Sequence, residues 1–313
     1  MPSRRAAIAT AVLLLCVGAG AAAAAASYPY GTSTGGCEVF PPDNAWHENI
    51  SKLAVSPLSN AYIASIGAGL DLHPDFGSNL TYGIPYAVVG ADQPKVPIHF
   101  TAYGAQSDKG PYPIPAGAPV EGGANSTGDR HVIVVQSGSC KLYELYSAYP
   151  DADGSWKAAS GAVFNLRSNR LRPDGWTSAD AAGLPIFAGL IRYAEIQRGY
   201  INHAIRFTAP STQAGFIHPA THFASSSTNP DLPPMGLRLR LKASFDITRF
   251  PRVARIILQA MKTYGLILAD NGSPWYFQGA TDPRWNDNAL DTLKSVPGSA
   301  FEVVSTGPIR RTG

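Results

Sequence analysis

The chain has 313 residues, of which only 15% are charged, and a formal net charge of +3. Average soluble chains carry roughly 25% charged residues; this thin charge, with no basic stripe, excludes nucleic acid as a partner. The 31 glycines and 26 prolines are spread along the chain and not blocked, which suits one large domain of short strands joined by tight turns.

Residues 1–26 read as a cleavable signal peptide. Arg4 and Arg5 supply a basic start, Ala6 to Val17 an apolar run, and Ala24-Ala25-Ala26 a small-residue cleavage site before Ser27. The strongly apolar part is shorter than the roughly 20 residues that cross a bilayer. The chain is therefore expected to be secreted, with no membrane span in its mature part. Removing the signal removes Cys16 and leaves Cys37 and Cys140, which in an oxidising compartment are expected to form a disulfide. That bridge closes a loop of about 100 residues, worth about 4–5 kcal/mol on the chain-entropy model, and pins the N-terminal end to the core.

Residues 27–56 read as an extended arm. Ser56, Pro57 and Gly67 frame a short helix. Tyr86 to Val89 and Lys95 to Thr101 read as strands, the second placed at a sheet edge or bulge by Pro94 and Pro97. Gly110 to Gly123 is loop. The clearest pair is a hairpin of Arg130 to Val135 and Lys141 to Tyr146, joined by Gln136 to Cys140. Period-two geometry puts His131, Ile133 and Val135 on one face, and Leu142, Glu144 and Tyr146 on one face of the partner. Ala162 to Leu166, Ile201 to Thr208, Gly215 to His218, Leu237 to Ala243, Leu266 to Ala269 and Phe301 to Ser305 are further strands. Short helical turns are expected at Ser178 to Ala182 and Tyr193 to Arg198, and a short helix at Asp287 to Lys294. From Pro251 to Tyr264 the apolar residues follow helical spacing and stop at Gly265. The fold expected is mainly β with a few helices, an antiparallel two-sheet sandwich of jelly-roll-like form, as one domain over 27–313.

The runs Asp129-Arg130-His131, Tyr143-Glu144-Leu145-Tyr146, Gly175 to Pro185 and His203 to Thr208 resemble an uncharacterised family of secreted bacterial proteins. The resemblance covers about Pro41 to about Val304. It implies one domain and an extracytoplasmic setting, and it carries over no catalytic residue.

Three constellations can carry chemistry. The first is a carboxylate group at the hairpin: Glu144 with Glu121 or Asp129, tuned by His131 and Arg130. Glycoside hydrolysis needs two carboxyl groups, one protonated and one not, and Glu144 sits in an otherwise apolar strand, where a carboxylate needs a partner or a raised pKa; a pairing of Glu144 with Arg130 is the structural alternative. The second is His131, His203, His218 and His222, which as neutral imidazoles can bind a metal or act as bases. The third is the set of tryptophans near turns, above all Trp176, Trp275 and Trp285, whose indole faces suit sugar rings; they can equally cap the core. His203 is a further candidate for substrate binding. Nucleophile-elbow, P-loop and dinucleotide fingerprints are absent. The reading is a monomeric glycan-active protein meeting polysaccharide or cell-wall glycan, a glycoside hydrolase without cofactor. A non-catalytic carbohydrate-binding protein and a metal-dependent enzyme with histidine ligands stand as alternatives.

Overall fold

The structure is a computed structural model that describes residues 34–311. The signal peptide, Cys16 and the first residues of the arm lie outside the described residues. In chain order the strands are β1 (His73–Asp75), β2 (Ala87–Val89), β3 (Ile98–Phe100), β4 (Val132–Gln136), β5 (Lys141–Tyr146), β6 (Tyr149–Pro150), β7 (Trp156–Ala158), β8 (Ser160–Asn165), β9 (Ile205–Ala209), β10 (Arg238–Leu241), β11 (Leu266–Asn271), β12 (Tyr276–Gln278) and β13 (Phe301–Val304). The helices are α1 (Ser59–Ile66), α2 (Ile186–Gly189), α3 (Tyr193–Arg198), α4 (Arg252–Thr263) and α5 (Asp287–Asp291). The fold is mainly β with few helices.

The strands form three sheets, ordered β1-β12-β9-β11-β10-β13, β2-β4-β5-β8 and β3-β7-β6. The expected hairpin is present: β4 and β5 pair antiparallel with Ile133 opposite Glu144 and Val135 opposite Leu142. Pairing is nevertheless mixed, because β1–β12, β9–β11, β2–β4 and β3–β7 are parallel. The long irregular stretches between these partners let the chain return in the same direction, which a single hairpin signal does not foretell. The proline-flanked β3 lies at the edge of its sheet, where a missing N–H breaks no ladder. No helix forms at 178–182; those residues make a bend and a hydrogen-bonded turn, and the helix begins at Ile186.

The four-stranded sheet has apolar clusters on both faces. Ile133, Val135, Leu142 and Phe164 join the main core with Phe207, Leu268 and Phe277, whereas Val132, Val134, Tyr143 and Leu145 pack with Tyr112, Trp156 and Ala158. A strand covered on both sides has no solvent face, and β4 accordingly reads as an unbroken run of buried residues. α4 lays Ala254, Ile257, Leu258 and Met261 onto the main core, as its apolar spacing requires.

Cys37 and Cys140 are bonded across 103 positions. Both are buried in the main core, so the bridge ties the N-terminal segment to the β4–β5 hairpin. Replacing both cysteines by alanine is expected to cost about 2–4 kcal/mol of stability, measured by urea denaturation; a loss under about 0.5 kcal/mol contradicts a structural role for the bridge.

Candidate functional site

The register of the six-stranded sheet builds a polar surface. Directly paired residues share a face, so His73, Tyr276, Thr208 and Asp270 form one row across β1, β12, β9 and β11, and Asp75, Gln278 and Arg206 form the next. The intervening positions, Pro74, Phe277, Phe207 and Leu268, belong to the other, apolar face. Asp270 reaches the polar face through a bulge. The β9–β11 register steps past Ala269, so that Asp270 pairs with Thr208. An uninterrupted ladder would set Asp270 opposite Ala209 and turn its carboxylate to the apolar side.

The loop before α2 brings a second carboxylate to this face. Asp180 Oδ1 and Oδ2 accept from Arg206 Nη2 and Nε at 2.8 and 3.1 Å, with the two side chains 0% and 4% exposed. The loop is held by its own hydrogen bonds: Asp180 N–H donates to Ser178 Oγ, Ser178 Oγ–H lies 2.6 Å from the Leu184 carbonyl, and Gly183 N–H donates to Asp180 O. Gly183 has φ +73°, and a Cβ there would stand 2.5 Å from the Trp176 carbonyl, so only glycine fits this turn without strain.

Asp129, Asp180 and Asp270 line one cavity of about 290 Å³, together with Tyr103, Tyr146, Ser160, His222 and Asn271. The three carboxyls differ in setting. Asp129 is exposed. Asp180 is buried but ion-paired. Asp270 is pushed up to about 7, first by burial and then by the Asp180 charge, with Arg206 opposing. His222 donates from Nδ1 to the Ala181 carbonyl at 2.7 Å.

Behind the cavity lie Glu121 and His131. His131 Nδ1 is 2.6 Å from Glu121 Oε2, and its Nε2 is 3.1 Å from the Ala179 carbonyl. Both ring nitrogens therefore face acceptors, an arrangement that favours the imidazolium. Burial alone would lower this histidine, but the attraction of Glu121 and Asp129 outweighs it and lifts His131 to about 9. Burial likewise raises Glu121, yet His131 brings it below the usual carboxylate range.

The remaining candidates sit elsewhere. Glu144 is 0% exposed, and its oxygens accept from the Ile186 and Phe187 N–H groups at 3.0 and 2.8 Å. It is pushed up to about 7, burial outweighing these two bonds; it fastens α2 to β5 and does not line the cavity. Arg130 is buried, donates to the carbonyls of Ala148, Ala124 and Ser126, and stacks over Tyr149. His203 is buried with Glu195 and Arg192, and His218 pairs with Asp174. The four histidines thus have separate partners, and among the described residues no three His, Cys, Asp or Glu side chains gather as a metal site. Trp275 and Trp285 are 0% and 4% exposed, their indole N–H groups donating to Gly67 and Ala280 carbonyls; they fill the core and present no ring to solvent. Trp176 is half-buried beside Arg172. Asp180, Asp270, Tyr146 and Asn271 escaped the sequence reading. The signal for Asp270 was an acidic residue ending an apolar strand run.

No family model, curated protein or solved structure matches this chain.

Two outcomes follow. His131, Asp270 and Glu144 bind their protons more tightly folded than unfolded. Groups of this kind stabilise fully below their unfolded pKa, and the contribution is lost as pH rises through about 7 for the two carboxyls and about 9 for His131. The unfolding free energy is expected to fall from about pH 4 to pH 9, and a flat profile contradicts these environments. Arg206→Leu, which strands the buried Asp180 charge, is expected to cost about 3–5 kcal/mol in the same denaturation assay.

Proposed function

We propose that the protein is a secreted glycoside hydrolase in which Asp270 is the acid and Asp129 its partner carboxylate. The observation that carries this reading is that the two open on one cavity in unlike settings: Asp270 half-buried beside Asp180 and holding its proton near neutral pH, Asp129 exposed. A carboxyl that keeps its proton can serve as the acid, and a carboxyl open to solvent on the same cavity can serve as its partner. Asp270 gives its proton to the glycosidic oxygen as the bond to the anomeric carbon breaks. Asp129 takes the proton of the attacking water, or itself forms the new bond to that carbon before water releases it. Glu121 and His131 hold a fixed charge pair behind Asp129. The substrate is a polysaccharide or cell-wall glycan, and the Cys37–Cys140 bridge suits work outside the cytosol. In the same reading the four- and six-stranded sheets are the two layers of a sandwich, and the cavity opens at their border.

A second reading, non-catalytic glycan binding, draws support from Tyr103 and Tyr146 at the same cavity, since such rings are platforms for sugar faces.

The test is reducing-end release from a panel of soluble polysaccharides and purified cell-wall material. Asp270→Asn is expected to lower the rate by about 10²–10⁴-fold and Asp129→Asn comparably, and wild-type activity should decline as pH rises through about 7. Full activity of Asp270→Asn overturns the assignment. Retention of a glycan with no product from any substrate favours the binding reading.

A further inference from the structure

Asp129 and Tyr146 line the Asp270 cavity, and the residue after each is strained. Arg130 has φ +53° and Ser147 φ +51°. Left-handed backbone at residues other than glycine is uncommon, clusters at ligand sites, and persists only where neighbouring contacts hold it. Here the two positions hold each other. The β4–β5 ladder ends at Val132 and Leu145. Beyond it Ser147 N–H donates to the Asp129 carbonyl at 2.8 Å, and Ala148 N–H to the Arg130 carbonyl at 3.2 Å. Past this paired kink the chain enters β6, whose first residue is Tyr149.

Tyr149 rests on a clamped cation. Arg130 is 3% exposed. Its Nε donates to the Ala148 carbonyl at 3.1 Å, and its Nη1 to the Ala124 and Ser126 carbonyls at 2.8 and 2.9 Å. The guanidinium carbon lies 4.2 Å from the Tyr149 ring centroid. One ring face is therefore covered, yet Tyr149 is 45% exposed, so the other face is open. Tyr200 also meets a guanidinium, but that of Arg198, whose side chain is itself 44% exposed. Among the exposed tyrosines of the described residues, Tyr149 alone is seated on a buried arginine.

Tyr103, 47% exposed and lining the cavity, is tied to the same place. Its N–H donates to the Ala159 carbonyl at 2.8 Å, and Ala159 N–H donates to the Tyr146 carbonyl at 2.8 Å. Burial raises the Tyr146 hydroxyl, and Asp129, Asp270, Tyr103 and Tyr149 all add to the shift. The three tyrosines and the two carboxyls are thus electrostatic neighbours.

A ring fixed in advance spares a ligand the cost of ordering it, and a free tyrosine face suits the apolar face of a sugar. The cavity, about 290 Å³, is at the low end of small-molecule sites, roughly 300–1,000 Å³. A polysaccharide seated in it must continue outside.

We propose that Tyr149, seated on Arg130, and Tyr103 form a platform on which the sugar units flanking the cavity lie face to ring, so that the ligand is a chain of several units and not a mono- or disaccharide. The proposal rests on the reading that the cavity takes a glycan.

The probes are xylan, laminarin, hydroxyethyl cellulose, glycol chitin and solubilised peptidoglycan, cast in native gels through which the full-length mature protein migrates. Retardation measures affinity. Tyr149→Ala, at an exposed position where folding tolerates truncation, is expected to weaken binding of the retarding glycan roughly tenfold, and Tyr149→Phe, which keeps the ring, under about twofold. A hexasaccharide of that glycan is expected to compete at least about tenfold better than its disaccharide. The platform is overturned if Tyr149→Ala is retarded like wild type, if Tyr149→Phe loses as much as Tyr149→Ala, or if the disaccharide competes as well; wild-type retardation then leaves the cavity reading standing. Retardation by none of the five overturns the platform and the glycan reading together.

Discussion

The ion pair between Asp180 and Arg206 is the constraint on which the polar face depends. Taking both charges out of water costs several kcal/mol per ion, and only close, doubly bonded geometry offsets it. Arg206 sits mid-strand in β9 and Asp180 in the loop leading to α2. Joining them fixes that loop over the six-stranded sheet. The same loop then supplies the Ala179 carbonyl to His131 and the Ala181 carbonyl to His222. It also leads into the Ile186 and Phe187 amides that receive Glu144.

From that pair the electrostatics of the neighbours follow. Arg206 is neutralised by Asp180 and has little left to offer Asp270, which is raised by burial and by the Asp180 charge. Three acidic residues around one cavity thereby acquire three characters: one exposed, one ion-paired, one holding a proton near neutral pH. Glu121 and His131 form a separate pair whose attraction overcomes burial on both sides. Strong shifts of this sort in a cleft mark candidate sites for chemistry, and buried groups that serve structure alone show them too. Glu144 is the example within this molecule: its carboxyl is raised to about 7 by burial, yet both oxygens are committed to backbone amides. Exposure to the cavity, rather than the shift, separates Asp270 from it.

Much of the fold was legible in the sequence because it rested on local chemistry. The β4–β5 hairpin follows from β-branched residues around a turn, α4 from its apolar spacing, the Cys37–Cys140 bridge from the cysteine count, and the edge position of β3 from its flanking prolines. The mixed pairing of the sheets was not legible, since parallel partners lie far apart in sequence. The site was only partly so. Asp129 and His222 were named, but Asp180 and Asp270 were not, for each owes its place to a long-range feature: an ion pair to β9, and a bulge that exists only against that strand. Trp275 and Trp285 misled for the opposite reason. They stand beside turn residues, but indole carries so much apolar area that both were drawn into the core, each indole N–H satisfied by a carbonyl.

The central claim is that Asp270 keeps a proton near neutral pH in a cavity it shares with an exposed carboxylate. It is tested most directly by following the Asp270 side-chain carboxyl carbon by NMR through a pH titration, assigned by its loss in Asp270→Asn. A midpoint at about 7 is the predicted result; a midpoint near 4, the ordinary value for an aspartate, would contradict it.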